Sequence, residues 1–558
     1  MVSMMVPVMA QTPLIGHRAV VRALVAVGVI SFALWIHHMF TAGLGRYALA
    51  FTSAASLAIA IPSGVQVFAW IGTFWKGQVQ MNAPTLFLLG FHFIFVLGGL
   101  TGVMVAVLPF DWQVHDTYFI VAHLHYVLIG GMVFPVFASL YFWAPIFNGH
   151  CLSERTAKWV FGLMFGGFNL AFFPMHITGL LGMPRRVATY AGDLGWNTLN
   201  LLSTVGAFIL ALGVLLFFID AARWALRRKK EHGNPWHAGT LEWLPQGEYG
   251  LRSIPWVDSL QPQWDRPTLA HEVVAGQYFL PGTHSGQRET LVTSWRNAVP
   301  RYLLVLPSDS WWPFIAAAGT AGFFLLLTVA QVALAFAFGI TAVIAIVAWL
   351  WQSDQPPHAN HAEVADGVYL PVGGHGGPSH AFWAMVILLL VDVSVFASLV
   401  FAHVHVSLAA EICPPPGAAL PDWRWPVAAG VLLLAGSAAM TAAQLAVGKR
   451  RQWWVTLSVV IAMACLAAAF GMDLRGHALA QLRPVANAWS ATVAALLAWQ
   501  GFHVLVLWLM GAYVVTRRAS GKLLPNARAS LDNTVVLWHY GTVQGLAGMG
   551  AIYLMPLF

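Results

Sequence analysis

The sequence predicts an all-α polytopic membrane protein with about thirteen transmembrane helices. Three observations predict it: 59% of the 558 residues are hydrophobic, only 9% are charged, and long apolar runs recur along the whole chain. A soluble domain carries about 25% charged residues, and about 20 consecutive apolar residues suffice to cross a bilayer as a helix. The 26 Trp and 35 Phe suit interfacial belts and closely packed apolar helices. The net charge of +7 is modest, and its basic residues cluster at helix ends. That is the positive-inside pattern of membrane loops, which argues against a nucleic-acid partner. Cys151, Cys413 and Cys465 show no CxxC spacing, so they support neither a disulfide frame nor a thiolate site. Met1 is followed by apolar residues without a basic segment or a small-residue cleavage site, so no signal peptide is read.

Six apolar runs come first, at 18–40, 47–74, 84–108, 116–145, 157–181 and 197–226, and define a first domain over residues 1–228. A polar connector follows at 229–311, rich in Pro, Gln, Asp and Glu. Seven further runs, near 312–331, 333–351, 380–407, 425–447, 453–471, 486–516 and 534–557, make a second domain over 312–558. Residues 352–380, crowded with Gly, Pro and His, read as a flexible loop. If the first helix starts in the cytoplasm, the basic stretches "LSERTAK", "RRKKEH", "GKRR" and "TRRASGK" all fall inside. Arg185 and Arg186 break that trend by landing outside, where they ask for a local anionic partner.

Ionisable residues inside a membrane are costly and mark functional sites. His123 and His125, in "HDTYFIVAHLHY", are two residues apart on one predicted helix. At 3.6 residues per turn their side chains diverge by about 200°, onto opposite faces. They cannot share one metal, but each can hold a separate cofactor, and imidazole is a standard axial haem ligand. The alternative is a pair of hydrogen-bonded core histidines. His37 and His38, adjacent in "WIHHMF", differ by about 100° and can both reach a metal between them. Two ligands do not complete a site, and an interfacial polar cap is the other reading. His115 and Asp116 suit a hard or borderline divalent ion, or simple helix capping. Arg185 and Arg186 can fork onto carboxylates such as haem propionates, or onto lipid phosphate.

"WIHHMF", "IPSGVQVFAWIGTF", "GGLTGVMVAVLPFDWQVHDTYFIVAHLHYVL" and "FFPMHITGLLGMPRRVATY" follow one another as in subunit I of haem–copper oxidases of the cytochrome c oxidase type. The resemblance covers residues 1–228. Residues 312–558 resemble subunit III more loosely, through "FWAMVILLLVDVSVFASLVF", "WQGFH" and "VVLWHYGTV". The resemblance implies that His37 and His38 are copper ligands and that His123 is the proximal ligand of a high-spin haem. It implies that His125 is an axial ligand of a low-spin haem. His115 and Asp116 resemble a magnesium site, and Arg185 and Arg186 a propionate-binding pair. The implied cofactors are therefore two haems of unassigned type, copper and magnesium.

Departures accompany the match. Subunit I of this family has twelve helices, and the sequence resembles only the last six, so Met1 is expected to lie inside a longer ancestral frame. Gln66 stands where many relatives have the lysine of a proton channel, and Asp392 replaces the usual glutamate of subunit III. The resemblance implies part of a respiratory terminal oxidase that reduces oxygen to water with electrons from cytochrome c and translocates protons. Its implied partners are subunit II, a chain supplying the remaining subunit I half, cytochrome c, oxygen and the lipid bilayer. Its implied place is the bacterial cytoplasmic (inner) membrane. The alternatives are a quinol oxidase subunit and a non-catalytic truncated remnant or assembly component.

Overall fold

The computed structural model describes residues 1–558 except 33, 246–252, 280–288, 295–298, 308, 354–360, 366, 373–379, 449–451, 526 and 558. Much of the loop expected at 352–380, and the basic residues of "GKRR", lie outside the described residues. The chain divides into two compact units, Met1–Leu280 and Pro281–Phe558.

Unit 1 contains α1 (Val2–Met9), α2 (His17–Ser31), α3 (Arg46–Lys76), α4 (Ala83–Ala106), α5 (Leu108–Val114), α6 (Tyr118–Asn148), α7 (Glu154–Leu180) and α8 (Asn197–Ala225), then the short α9 (Pro262–Asp265) and α10 (Leu269–Val274). Side chains fix several starts by accepting otherwise orphaned backbone N–H groups. Asn82 caps α4 at Thr85 N (3.3 Å), Thr117 caps α6 at Phe119 N (3.2 Å), and Ser153 caps α7 at Thr156 N (3.3 Å). Gly149, with φ +80°, closes α6 in the left-handed region that favours glycine.

Hydrophobic packing alone drives no association within lipid, so close backbone approach matters. The α7–α8 pair achieves it at Gly167 and Gly206. A Cβ on Gly167 would lie 2.4 Å from Leu210 N, and one on Gly206 2.3 Å from Ala171 N. The core between α1, α4, α6 and α7 is aromatic, with Phe87, Phe134, Phe142 and Phe168 fully buried beside Met5 and Met9. Residues 148–153 and 220–230 gather at one end of this bundle, through Asn148 to Trp224 O (2.9 Å) and Ser153 N to Asp220 (3.2 Å). At the other end Thr117 bridges to Pro184.

Two features of unit 1 differ from the sequence expectation. The start of the polar connector is built into the bundle: Trp243 is 1% exposed, and Trp236 donates from Nε1 to Phe142 O at 2.8 Å. Both indoles are apolar bodies with one polar edge; a helix-end carbonyl holds Trp236, and Trp243 packs edge to face on Phe142 at 5.3 Å. The helix containing His123 and His125 is also not regular throughout, because Tyr126–Val133 forms a π-helical segment directly after His125. Such segments are rare and are frequent at functional sites.

Unit 2 opens with two antiparallel strand pairs, β1 (Glu289–Thr293) with β2 (Pro300–Val305) and β3 (His361–Ala365) with β4 (Val368–Pro371). A bridge from Leu303 to Val372 joins the pairs. These short strands fall where only connector and loop were expected. Its helices are α11 (Trp312–Thr328), α12 (Val332–Ser353), α13 (His380–Ala409), α14 (Arg424–Gly448), α15 (Gln452–Leu479), α16 (Ala488–Ala519) and α17 (Ala529–Leu554). Each of the thirteen apolar runs contains an α-helix, although the run at 18–40 leaves it after Ser31. Among the described residues, 11 helices are long and apolar enough to cross a membrane. The expected count of about thirteen falls at α11, which has 17 residues, and at α17, where Asp532, Asn533, His539 and Gln544 interrupt the apolar run. The architecture is that of an all-α polytopic membrane protein.

Candidate functional site

A cavity of about 500 Å³ opens between α3, α4, α5, α6 and the turn after α2. Cofactor pockets run from roughly 300 to 1,000 Å³. His37, His38, Asp111 and His123 are its ionisable lining residues, and the rest is apolar or small, including Gly64, Gly98, Gly99 and Gly102. A Cβ at Gly102 would stand 3.0 Å from His123 Cε1, whereas one at Gly99 would meet nothing within 4 Å. Glycine thus keeps one wall of the cavity clear beside the imidazole.

His37 and His38 sit on a 3-10 turn, Trp35–Met39, and not on a regular helix as expected. That turn brings their Nε2 atoms to 2.9 Å and their ring centroids to 4.2 Å, edge to face at 68°. Ser56 Oγ donates to Thr52 O at 2.7 Å, so at its 3.0 Å contact it accepts from His37 Nδ1. The His37 lone pair is then on Nε2, facing His38. Two imidazoles converging by their ε nitrogens form the start of a copper, zinc or iron site. Among the described residues no group of three or more His, Cys, Asp or Glu side chains is placed to hold a metal, so the pair fits part of such a site.

His123 is held by α4. Its Nδ1 lies 3.1 Å from Gly98 O and 3.0 Å from Thr101 Oγ1, and Thr101 itself donates to Gly98 O at 3.0 Å. A carbonyl only accepts, so Nδ1 carries the proton and Nε2 the lone pair. Metal-bound histidines are oriented in this way by their other ring nitrogen. His125 repeats the device on the other side of α6: Nδ1 donates to Val121 O at 2.7 Å, and the ring stacks on Phe172 of α7 at 4.2 Å and 16°. The two histidines therefore face different helices, and only His123 lines the cavity.

At the outer end, His115 and Asp116 turn to separate partners. His115 Nδ1 bonds Asp111 Oδ2 at 2.9 Å. Asp116, with φ +54°, pairs its carboxylate with Arg185, while Arg185 N donates to Asp116 O at 2.8 Å. Asp is among the few residues that tolerate this backbone region. Arg185 Nε is buried with no hydrogen-bond partner among the described residues, whereas Arg186 is exposed. A stranded guanidinium N–H beside the cavity end fits an anionic group such as a propionate. Gln66 is buried on α3 outside the cavity lining.

Asp111 is the site residue that sequence reasoning missed. It is 4% exposed and lines the cavity. Burial raises its carboxyl above the ordinary range, against the opposing hydrogen bond from His115. Its signal was the four-residue spacing to His115 in "DWQVH", which places both side chains on one helical face. Thr101, Gly98 and Gly102 were also missed, since a small-residue run in a membrane helix reads first as packing. A haem fits the donors, the glycine wall and the stranded guanidinium. Copper fits His37 and His38 as two of its ligands.

Residues 1–209 match the family described as Cytochrome C and Quinol oxidase polypeptide I. Cytochrome c oxidase subunit 1 of Bacillus subtilis (strain 168) is 41% identical over 316 residues, covering 56% of this chain and 51% of that protein. Cytochrome c oxidase subunit 1 of Synechocystis sp. is 44% identical over 242 residues, covering 43% and 44%. Quinol oxidase subunit 1 of Bacillus subtilis (strain 168) is 44% identical over 258 residues, covering 45% and 39%. The chain spans about half the length, or less, of the curated relatives it matches. Residues 1–209 are thus similar to subunit I of cytochrome c and quinol oxidases.

Proposed function

We propose that residues 1–228 form part of the catalytic subunit of a respiratory terminal oxidase that reduces oxygen to water in the bacterial cytoplasmic membrane. Electrons come from cytochrome c, proton translocation is coupled to the reaction, and residues 312–558 act as a subunit III-like domain. One observation carries the proposal: His37, His38 and His123 meet at a single cavity, with the Nε2 atoms of His37 and His38 converging on each other and His123 held from its Nδ1 side. Haem and copper, when bound, supply the one-electron and oxygen chemistry. The chain's own residues hold and orient. His123 holds the haem at the cavity, and Gly98 O with Thr101 fixes its ring. His125 holds a second haem on the α7 side, its ring set by Val121 O and Phe172. His37 and His38 hold copper as two of its ligands. Arg185 and Arg186 neutralise propionates, whereas magnesium on His115 and Asp116 would require both side chains to turn away from Asp111 and Arg185.

The test is to co-produce the full chain with subunit II and a chain carrying the remaining subunit I helices, then record difference spectra and oxygen uptake. We expect one high-spin and one low-spin haem signal, and uptake driven by reduced cytochrome c. Absence of both signals from a correctly assembled complex overturns the proposal in favour of a non-catalytic component. Uptake with quinol but not cytochrome c keeps the oxidase and changes its donor, in line with the similarity to a quinol oxidase subunit.

A further inference from the structure

Unit 2 holds a second, far smaller cavity, of about 20 Å³, between α14, α15, α16 and α17. A single water needs roughly 10–15 Å³ by this measure, so the space takes one small occupant. Its polar lining is Asp473 of α15 and Gln500 of α16. Asp473 is 7% exposed, and its Oδ1 has no hydrogen-bond partner among the described residues. Gln500 donates from Nε2 to Gly541 O at 3.4 Å, which assigns the other branch of the amide as oxygen, and that Oε1 is buried and unpartnered too. Gly545 makes the room: a Cβ there would come within 2.9 Å of both Gln500 Nε2 and Leu433 Cδ1.

A buried carboxylate without donors is costly, the more so inside a membrane. His477, the nearest basic group, places Nε2 at 3.7 Å from Asp473 Oδ1, too far to donate a hydrogen bond. Neither of its ring nitrogens has a partner among the described residues. An acidic oxygen and an amide oxygen around a small void are the donors a hard cation prefers. One carboxylate balances one positive charge, which points to a monovalent ion. We propose that Asp473 and Gln500 bind one small monovalent cation through oxygen, sodium or hydronium, and so tie α15 to α16. Nothing in this site depends on the haem–copper proposal, since it lies wholly in unit 2. The titratable groups around Asp473 are His477 on its own helix and Tyr553 on α17; α14 presents Leu433 and α16 presents Gln500.

The test uses the full chain in lipid nanodiscs, unfolded by heat and followed by tryptophan fluorescence. Sodium chloride and choline chloride are compared at equal ionic strength, at an acidic and at an alkaline pH. If sodium binds, the midpoint rises by several degrees in sodium over choline. If hydronium binds, the midpoint rises at acidic pH in both salts. Asp473→Asn removes whichever dependence is seen. Gly545→Ala, which crowds Gln500 and leaves every charge in place, reduces it and guards against a folding defect in the first variant. Midpoints that ignore salt and keep the same pH slope in Asp473→Asn overturn the proposal. So does a sodium effect that appears only in His477→Ala, because the imidazolium is then the counter-charge.

Discussion

The histidines of α6 and those of α16 and α17 sit in long helices of the two units, yet differ in what the second ring nitrogen meets. His123 and His125 each engage Nδ1 with a backbone carbonyl, at 3.1 and 2.7 Å. Their Nε2 atoms make no hydrogen bond among the described residues. In unit 2, His503 faces Trp499 O at 3.0 Å from Nδ1 and Asp392 Oδ1 at 3.2 Å from Nε2. His539 meets Ser437 at 2.5 Å and Thr441 at 3.4 Å. One arrangement engages only one ring nitrogen with the protein among the described residues, and the other ties the ring to a second helix. The difference lies in tertiary partners and cannot be seen in "HLHY" or "GFH" alone.

The largest contrast follows directly. His123→Leu in the assembled complex is expected to reduce oxygen uptake to background and remove the high-spin haem signal, with little change in folding. His503→Leu is expected to leave that signal in place. A His503→Leu complex without the signal would show that the two histidines are not of different kinds. Second in size is stability: Asp392→Ala removes one side of a buried pair whose side chains are 14% and 5% exposed, and also the acceptor of Tyr540 OH. Leaving buried donors without their acceptor costs about 1–3 kcal/mol each, read as a lower thermal midpoint with haem content per folded protein unchanged.

How much of this was legible in the sequence depends on how local its cause is. Every apolar run contains a helix because length and hydropathy are local properties, and the opposed faces of His123 and His125 follow from helical rotation. The 3-10 turn under His37 and His38 was not legible, since Ser56 and the cavity wall that hold it are remote in sequence. The same holds for Trp236 and Trp243, which read as connector until Phe142 O and the aromatic core are placed beside them. His115 and Asp116 were read as a unit because they are adjacent, but adjacent residues on a turn point apart. The left-handed Asp116 sends its carboxylate to Arg185 while His115 reaches back to Asp111.

A smaller effect separates the ligand from its support. Thr101→Val removes one of two acceptors at His123 Nδ1 and leaves Gly98 O in place. Loss of such an outer hydrogen bond typically costs about 10–100-fold in affinity. With the carbonyl retained, the expected loss is at the lower end, about tenfold in haem retention during dilution. The protein fold is unchanged by far-ultraviolet circular dichroism. An effect as large as that of His123→Leu would mean that Thr101, and not the carbonyl, sets the ring.

The smallest effect on stability is expected at Arg185, where the comparison turns from histidines to charges. Its ion pair with Asp116 is partly open, with side chains 27% and 55% exposed. Exposed pairs contribute about 0–1 kcal/mol, so Arg185→Gln should lower the thermal midpoint of the chain without cofactors by no more than about that amount. The buried Nε has no partner to lose among the described residues. If that N–H serves a propionate, the same variant will release haem from the assembled complex faster than wild type, although its cofactor-free stability is almost unchanged. Equal release rates in the two proteins would confine Arg185 to its pair with Asp116. The outer end of α6 would then be a structural joint, like the His503 and Asp392 pair of unit 2.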